Sequence, residues 1–388
     1  MQIVVKTGTN CNFACVYCSE GDRKLIELKE DVFKKLIDDL PALLEENNDR
    51  KVNILWHGGE PLLWGLDKLE RSMTYAETRL SSYTLEFTLQ TNGYLIDAAY
   101  IDLFQRHKVH VGVSLDGYEE LQNKNRQTKD GKPTFDVVWN NIQKIRQAGL
   151  GGSILMVLNT SQSIDVDKLY KFIEVNTLSC KINPVIPCGR AKNRGDAAEV
   201  YKNYVDLMQQ LFRKVMDSDK NIVIEPLNKL MDAIITNQPV SECSYSGHCS
   251  QNIFCLYADG NVGFCGRDSE EENLSYGNLS ERSLLELYHS VNAGKIRARD
   301  QYLLEHECKD CNMWLLCHGG CAFEALNFSK KLEASFPFCA ERKKLFTYLR
   351  TTGLLLLKQR MIREKQEVRM ILAEKKKLLE EVRMYARE

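Results

Sequence analysis

The strongest constraint on the fold is an alternation that runs from residue 2 to about residue 215. Short apolar, β-branched runs cover residues 3–5, 52–56, 85–89, 109–115, 153–158 and 181–185. Segments with apolar residues at helical spacing lie between them, at 31–44, 66–80, 98–107, 137–147 and 166–175, and a last one spans about 197–216. In the first of these, Val32, Phe33, Leu36, Ile37 and Leu40 form one stripe. Strand–helix repeats with continuously apolar strands imply parallel strands covered by helices. Six such units predict an α/β chain with a partial (β/α)6 TIM-type barrel, because a closed barrel needs eight. Chemistry in such folds gathers at the C-terminal ends of the strands.

The chain has 388 residues, more than one typical domain, and a formal net charge of −1. No global basic field points to nucleic acid. No signal peptide and no membrane-spanning apolar run is visible, which predicts a cytoplasmic protein with no membrane partner. In a reducing compartment, 14 cysteines point to metal or redox chemistry rather than disulfides.

Three of those cysteines, Cys11, Cys15 and Cys18, stand at C-x3-C-x2-C spacing directly after the first strand run. Three thiolates can hold three irons of a [4Fe–4S] cluster and leave the fourth open for chemistry; most such clusters take four thiolates. A zinc ribbon pairs two C-x2-4-C knuckles instead, and so short a loop strains a disulfide. Past the second strand run comes His57-Gly58-Gly59-Glu60-Pro61, whose paired glycines allow close backbone approach. Gln90-Thr91-Asn92-Gly93 follows the third run. Ser114-Leu115-Asp116-Gly117 follows the fourth and leads to Asn125-Arg126.

This order resembles the radical S-adenosylmethionine (SAM) enzymes. The resemblance implies that SAM chelates the open iron of a cluster on Cys11, Cys15 and Cys18, with Tyr17 as the usual aromatic before the third cysteine. It implies that Gly58, Gly59 and Glu60 meet the SAM amino group. Asn92, Ser114 and Arg126 would reach its ribose and carboxylate, the guanidinium being suited to a bidentate carboxylate pair. Asn159, at the end of the fifth strand, is expected to line the pocket. Cys180 and Cys188 bracket the sixth strand and read as buried packing.

The second half holds the densest motif. Cys308-x2-Cys311-x5-Cys317-x3-Cys321, followed by Cys339, is preceded by Cys249-x10-Gly260-x4-Cys265. Ala258-Asp259-Gly260-Asn261 predicts a hairpin turn that brings Cys249 and Cys265 together. The spacing matches the seven-cysteine signature of the SPASM domain found after the barrel in many radical SAM enzymes that modify peptides. The resemblance implies two auxiliary [4Fe–4S] clusters, three in all. Cys243, Cys249, Cys265 and Cys321 would hold one, and Cys308, Cys311, Cys317 and Cys339 the other. Cys255 reads as packing, with its replacement of Cys243 as the alternative. In anaerobic sulfatase maturases, which the spacing also resembles, an aspartate follows the third cysteine as base; here Gly266-Arg267 follows Cys265. Asp268 and Asp116 are the base candidates.

The expected domains are residues 1–215 for the barrel, 216–242 for a bridge with a strand-like stretch at 222–226, 243–340 for SPASM and 341–388 for a helical tail. Leu354, Leu357, Met361, Val368, Ile371, Leu378, Val382 and Tyr385 fall on a/d positions of that tail, broken by Glu364 and Lys375. The tail packs on the chain itself, forms a homodimer, or binds a partner through Lys375-Lys376-Lys377. The reading that follows is a radical SAM peptide maturase that abstracts hydrogen from a ribosomally made precursor peptide and forms a C–C or thioether cross-link. Its partners would be the precursor, an electron donor such as flavodoxin or ferredoxin, and a separate leader-recognition protein. The alternatives are a sulfatase maturase that forms formylglycine, an enzyme of peptide-derived cofactor synthesis, and a non-catalytic iron–sulfur protein.

Overall fold

A computed structural model describes residues 1–21, 24–267 and 274–366, together with 370 and 375. Its strands form one ten-stranded sheet whose order, by the first residue of each strand, is Gly277, Asn261, Ile253, Gln2, Lys51, Thr84, His110, Gly151, Ser179 and Val223. The parallel series is β1 (Gln2–Lys6), β2 (Lys51–His57), β3 (Thr84–Thr91), β4 (His110–Ser114), β5 (Gly151–Leu158), β6 (Ser179–Pro184) and β7 (Val223–Glu225). Helices α1 (Glu30–Glu46), α2 (Leu66–Arg79) and α3 (Ala98–Arg106) cross over between the first four strands. Beyond β4, α4 (Glu119–Asn125) and α5 (Phe135–Gln147) precede β5, α6 (Val166–Val175) precedes β6, and α7 (Ala197–Asp217) precedes β7.

Alternation along each strand separates a helix-covered face from the barrel lumen. In β2, Val52, Ile54 and Trp56 are fully buried, and Trp56 packs against Phe33 of α1 at 5.0 Å between ring centroids. Their neighbours Asn53 and His57 therefore face the lumen. Asn53 donates to Thr88 of β3 there (2.8 Å), and Gln90 donates to Ser114 of β4 (3.0 Å). Lys6 pairs in register with His57, so a cation and an imidazole stand side by side at the C-terminal mouth.

The sheet extends the sequence reading in two places. The strand-like stretch expected at 222–226 becomes a seventh parallel strand, because Ser179 and Cys180 of β6 pair with Val223 and Ile224. The bridge also holds α8 (Leu227–Thr236). The expected hairpin forms from β8 (Ile253–Leu256) and β9 (Asn261–Gly263), with β10 (Gly277–Asn278) beside it. It joins the edge of the parallel sheet: β8 pairs parallel with β1, Gln2 opposite Ile253 and Val5 opposite Leu256. β1, buried from Ile3 to Lys6, would otherwise leave a row of backbone donors and acceptors unmet.

The tail begins after the helix Cys339–Tyr348 and a π-helical turn at Leu349–Gly353. It is helical from 354 to 366. Arg360 donates to the Val215 carbonyl (2.9 Å), and Arg363 donates to that of Met216 (2.5 Å). Both carbonyls belong to the last turn of α7, which lacks intrahelical donors and favours cations. The first part of the tail thus packs on the chain itself. Val368, Ile371, Leu378, Val382, Tyr385 and the lysines at 376 and 377 lie outside the described residues. Among the described residues, no helix is long and apolar enough to cross a membrane.

Candidate active site

The loop after β1 carries Cys11, Cys15 and Cys18 and is tied down on two sides. Ala14 and Val16 donate to the carbonyls of Gln127 and Asn125 (2.8 and 3.0 Å). On the other side, Gly59 and Glu60 donate to the carbonyls of Gly8 and Asn10 (both 2.8 Å). The glycine pair makes that approach feasible. A Cβ on Gly59 would stand 2.2 Å from the Asn10 carbonyl oxygen, and one on Gly58, at φ +147°, 2.7 Å from that of Gly8. The pair therefore seats backbone on backbone. Phe13 N–H donates to Cys11 Sγ (3.3 Å), and Asn92 Nδ2 lies 3.8 Å from the same sulfur while donating to Asn12 (2.7 Å).

Glu60 is buried and turned toward β3. Its carboxylate accepts from Thr91 Oγ1 (2.7 Å), Asn92 N–H (2.8 Å) and Leu62 N–H (3.2 Å). Burial nevertheless pushes its pKa up to about 7. Those bonds fill three of about four acceptor sites on a carboxylate, which leaves one toward a ligand cation.

Asp116 is fully buried. Its carboxylate accepts from Arg126 Nε (2.9 Å), from Val157 N–H (3.0 Å) and from the Tyr17 hydroxyl. Arg126 also lies over the Tyr17 ring at 5.3 Å. The expected SAM-carboxylate ligand and one expected base are therefore partners of each other. Among the described residues no partner takes the Arg126 Nη groups. Asn159 directly follows β5, its Oδ1 accepting from Arg194 (2.8 Å) and Ser161 (2.9 Å).

Residues missed in the sequence complete the mouth. Lys6 is 3% exposed and ion-paired with Glu20, two residues past Cys18. His57 Nδ1 accepts from Gly58 N–H (2.8 Å), which puts its proton on Nε2. Burial lowers the His57 pKa to about 4, so the ring is neutral. A lone lysine ending an apolar strand was the available signal for Lys6. Arg190 donates to the Cys15 carbonyl (3.2 Å), and a Cβ on neighbouring Gly189 would meet the Cys18 carbonyl at 2.2 Å.

The later cysteines gather into two sets. Cys249 lies within electrostatic range of Cys243, Cys321 and Cys265. Cys308, Cys311, Cys317 and Cys339 line one pocket. Cys255 is fully buried in β8 opposite Val4 of β1, and Cys180 is 2% and Cys188 8% exposed. The chain passes from Cys317 of one set to Cys321 of the other through His318, Gly319 and Gly320, all at positive φ. Buried Arg299 clasps that turn, donating to the carbonyls of Leu332, Gly320, Gly319 and Ala334 at 2.7–3.3 Å. Asp268, the other base candidate, lies outside the described residues.

The donor sets suit iron–sulfur clusters. A single zinc ion with Zn–S of about 2.3 Å draws sulfurs to within about 3.8 Å of each other. Among the described residues no three His, Cys, Asp or Glu side chains are placed to hold one metal ion. Burial pushes the thiols of Cys11 and Cys243 up to about 12 and those of Cys15, Cys308 and Cys321 up to about 11. Loading iron must therefore release protons.

Residues 5–173 match the model of the radical SAM superfamily, and residues 243–312 that of SPASM, an iron–sulfur cluster-binding domain. The cysteine-type anaerobic sulfatase-maturating enzyme of Clostridium novyi (strain NT) is 26% identical over 372 residues, covering 89% of this chain and 93% of that one. The serine-type enzyme of Klebsiella aerogenes is 27% identical over 325 residues, covering 81% and 77%. Among solved structures, native anSMEcpe with bound AdoMet and Kp18Cys peptide superposes with a TM-score of 0.79 at 21% identity, covering 92% of this chain and 98% of that one. SAM and [4Fe–4S] clusters are accordingly the cofactors of this chain. The expected ribosomal-peptide maturase that forms a cross-link is overturned, because these relatives, matched over 93% and 77% of their lengths, are sulfatase maturases. The misreading rested on the missing aspartate after Cys265, a single position weighed against the whole chain.

Proposed function

We propose that this radical SAM enzyme, with its SPASM domain, is an anaerobic maturase that oxidises a cysteine or serine side chain of a sulfatase to formylglycine. The observation that carries the reading is an alignment with sulfatase maturases that runs nearly the full length of both chains. Cys11, Cys15 and Cys18 would hold the cluster with the open iron, where reductive cleavage of SAM supplies the radical that takes hydrogen from the substrate side chain. Glu60 offers its remaining acceptor site to the SAM ammonium, and Arg126 its Nη groups to the carboxylate. Tyr17, Gly58, Gly59, Asn92, Ser114 and Asn159 shape the pocket around them. Cys243, Cys249, Cys265 and Cys321 would hold one auxiliary cluster and Cys308, Cys311, Cys317 and Cys339 the other, each without an open iron. The substrate would be a peptide segment of the sulfatase, and a flavodoxin or ferredoxin would supply electrons.

The substrate hydroxyl or thiol must also lose a proton and a second electron, which an auxiliary cluster would accept; for cysteine, water would then displace the sulfur as sulfide. Asp116 is a poor acceptor for the proton, since its carboxylate is already committed to Arg126, Tyr17 and Val157. The reading therefore takes Asp268, three residues after Cys265, as the base. The test incubates the reconstituted enzyme anaerobically with SAM, reductant and a peptide carrying a sulfatase's modifiable cysteine, or its serine counterpart. Mass spectrometry should find the aldehyde on one of them. Asp268→Asn should still cleave SAM but yield no aldehyde. SAM cleavage by the wild-type enzyme with neither peptide altered would overturn the reading.

A further inference from the structure

We propose that Arg342, Glu324 and Arg267 form a buried charged bridge between the two auxiliary thiol sets and raise the reduction potential of the clusters those sets would hold. The inference rests on the ligand sets given above and not on the identity of the substrate.

Arg342 sits on the helix that begins at Cys339 and is 8% exposed. Its Nη1 lies 3.8 Å from Cys317 Sγ, and its Nη2 lies 3.4 Å from Glu324 Oε2. Glu324 is 4% exposed, on the helix that starts right after Cys321. Its Oε1 accepts from the Tyr201 hydroxyl (2.7 Å) and lies 4.0 Å from Arg267 Nη1. Arg267 completes the path, donating its backbone N–H to Cys265 Sγ (3.3 Å). Its guanidinium is within electrostatic range of Cys321, Cys265 and Cys243. One guanidinium thus faces each thiol set, and a single carboxylate joins them.

The charge balance makes this more than an ion pair. One carboxylate satisfies one guanidinium, so the group carries an excess positive charge. Arg267 Nη1 is itself buried with no hydrogen-bond partner among the described residues. Burying such a charge is costly unless something negative compensates it. A cluster held by four thiolates would be that counter-charge, the more so in its reduced form. A fixed cation beside it stabilises the reduced state more than the oxidised one, which raises the potential. Aromatic faces hold Arg342 in place: its guanidinium lies 3.5 Å from the Phe336 ring centroid and 4.7 Å from that of Tyr245.

The test is a reductive titration of the full-length reconstituted enzyme followed by electron paramagnetic resonance, with bound iron measured in parallel. Auxiliary signals are those that added SAM leaves unchanged. Arg342→Met and Arg267→Met should retain iron and each shift an auxiliary midpoint to lower potential. Arg342→Lys, which keeps the charge, should stay near wild type. Glu324→Gln, which removes the opposing charge, should shift midpoints upward. Unchanged midpoints in both Met variants would overturn the proposal. So would equal shifts in Arg342→Lys and Arg342→Met, since the effect would then follow packing. Should Arg342→Met lose iron, Glu324→Gln decides: without an upward shift the proposal fails. Wild-type enzyme holding iron for the SAM cluster alone would also overturn it.

Discussion

Replacing Asp116 by Asn separates a structural role from a catalytic one. The substitution preserves shape but removes the counter-charge of Arg126, which is itself 7% exposed. Breaking one side of a buried ion pair costs about 3–5 kcal/mol. The amide also replaces one of the two acceptor oxygens by an NH2 group, either where the Tyr17 hydroxyl now donates or where Val157 N–H and Arg126 Nε now donate. One unmet buried donor adds about 1–3 kcal/mol, partly overlapping the first loss. We expect a total of about 3–6 kcal/mol, a large share of the roughly 5–15 kcal/mol that holds a typical domain. Because Tyr17 lies between Cys15 and Cys18, iron at that loop should fall too. The assay is a urea unfolding curve of the iron-free chain, read alongside iron content after reconstitution. Pairing Asp116→Asn with Arg126→Met should destabilise less than the two single changes added together. A variant with wild-type urea midpoint, full iron and intact SAM cleavage, but no aldehyde on the substrate peptide, would refute this reasoning and make Asp116 the base.

Further predictions concern the cofactor sites. Burial raises the Glu60 pKa to about 7, and an ammonium pairs only with the carboxylate form, so SAM affinity should rise with pH through about 7. Equilibrium binding should show that rise in wild type and a flat profile in Glu60→Gln. Gly59→Ala drives a Cβ into backbone rather than into a flexible side chain. It should destabilise by about 1–3 kcal/mol, seen as a lower urea midpoint, and lower iron at the N-terminal loop. Cys243→Ala should lose the iron of one auxiliary cluster while Cys255→Ala keeps it, measured by iron content and Mössbauer spectroscopy; the reverse pattern would exchange their roles.

Much of the site was legible because its signals are local. Three cysteines within eight residues, a glycine pair at a strand end and a hairpin turn between two cysteines each act through neighbours in the chain. The strand–helix alternation was legible for the same reason, since periodicity is set by the residues of one element. Contacts between distant segments were not. The pairing of Gln2 with Ile253 and of Cys180 with Ile224 depends on two edges meeting, and short apolar runs do not encode their partners. Lys6 and His57 became site residues only once strand register set them side by side in the lumen. In the sequence Arg126 reads as a ligand for the SAM carboxylate and Asp116 as a base; only the fold shows them as a buried pair that engages the Nε of Arg126. The bridge from Cys317 through Arg342, Glu324 and Arg267 to Cys265 draws on four separate segments, each with unremarked charges. The sequence by itself determined the cofactor chemistry, because thiolate spacing is a local geometric requirement. Tertiary structure decided which charges are spent on each other and which remain for a ligand, because burial and pairing arise only when distant strands and helices pack together.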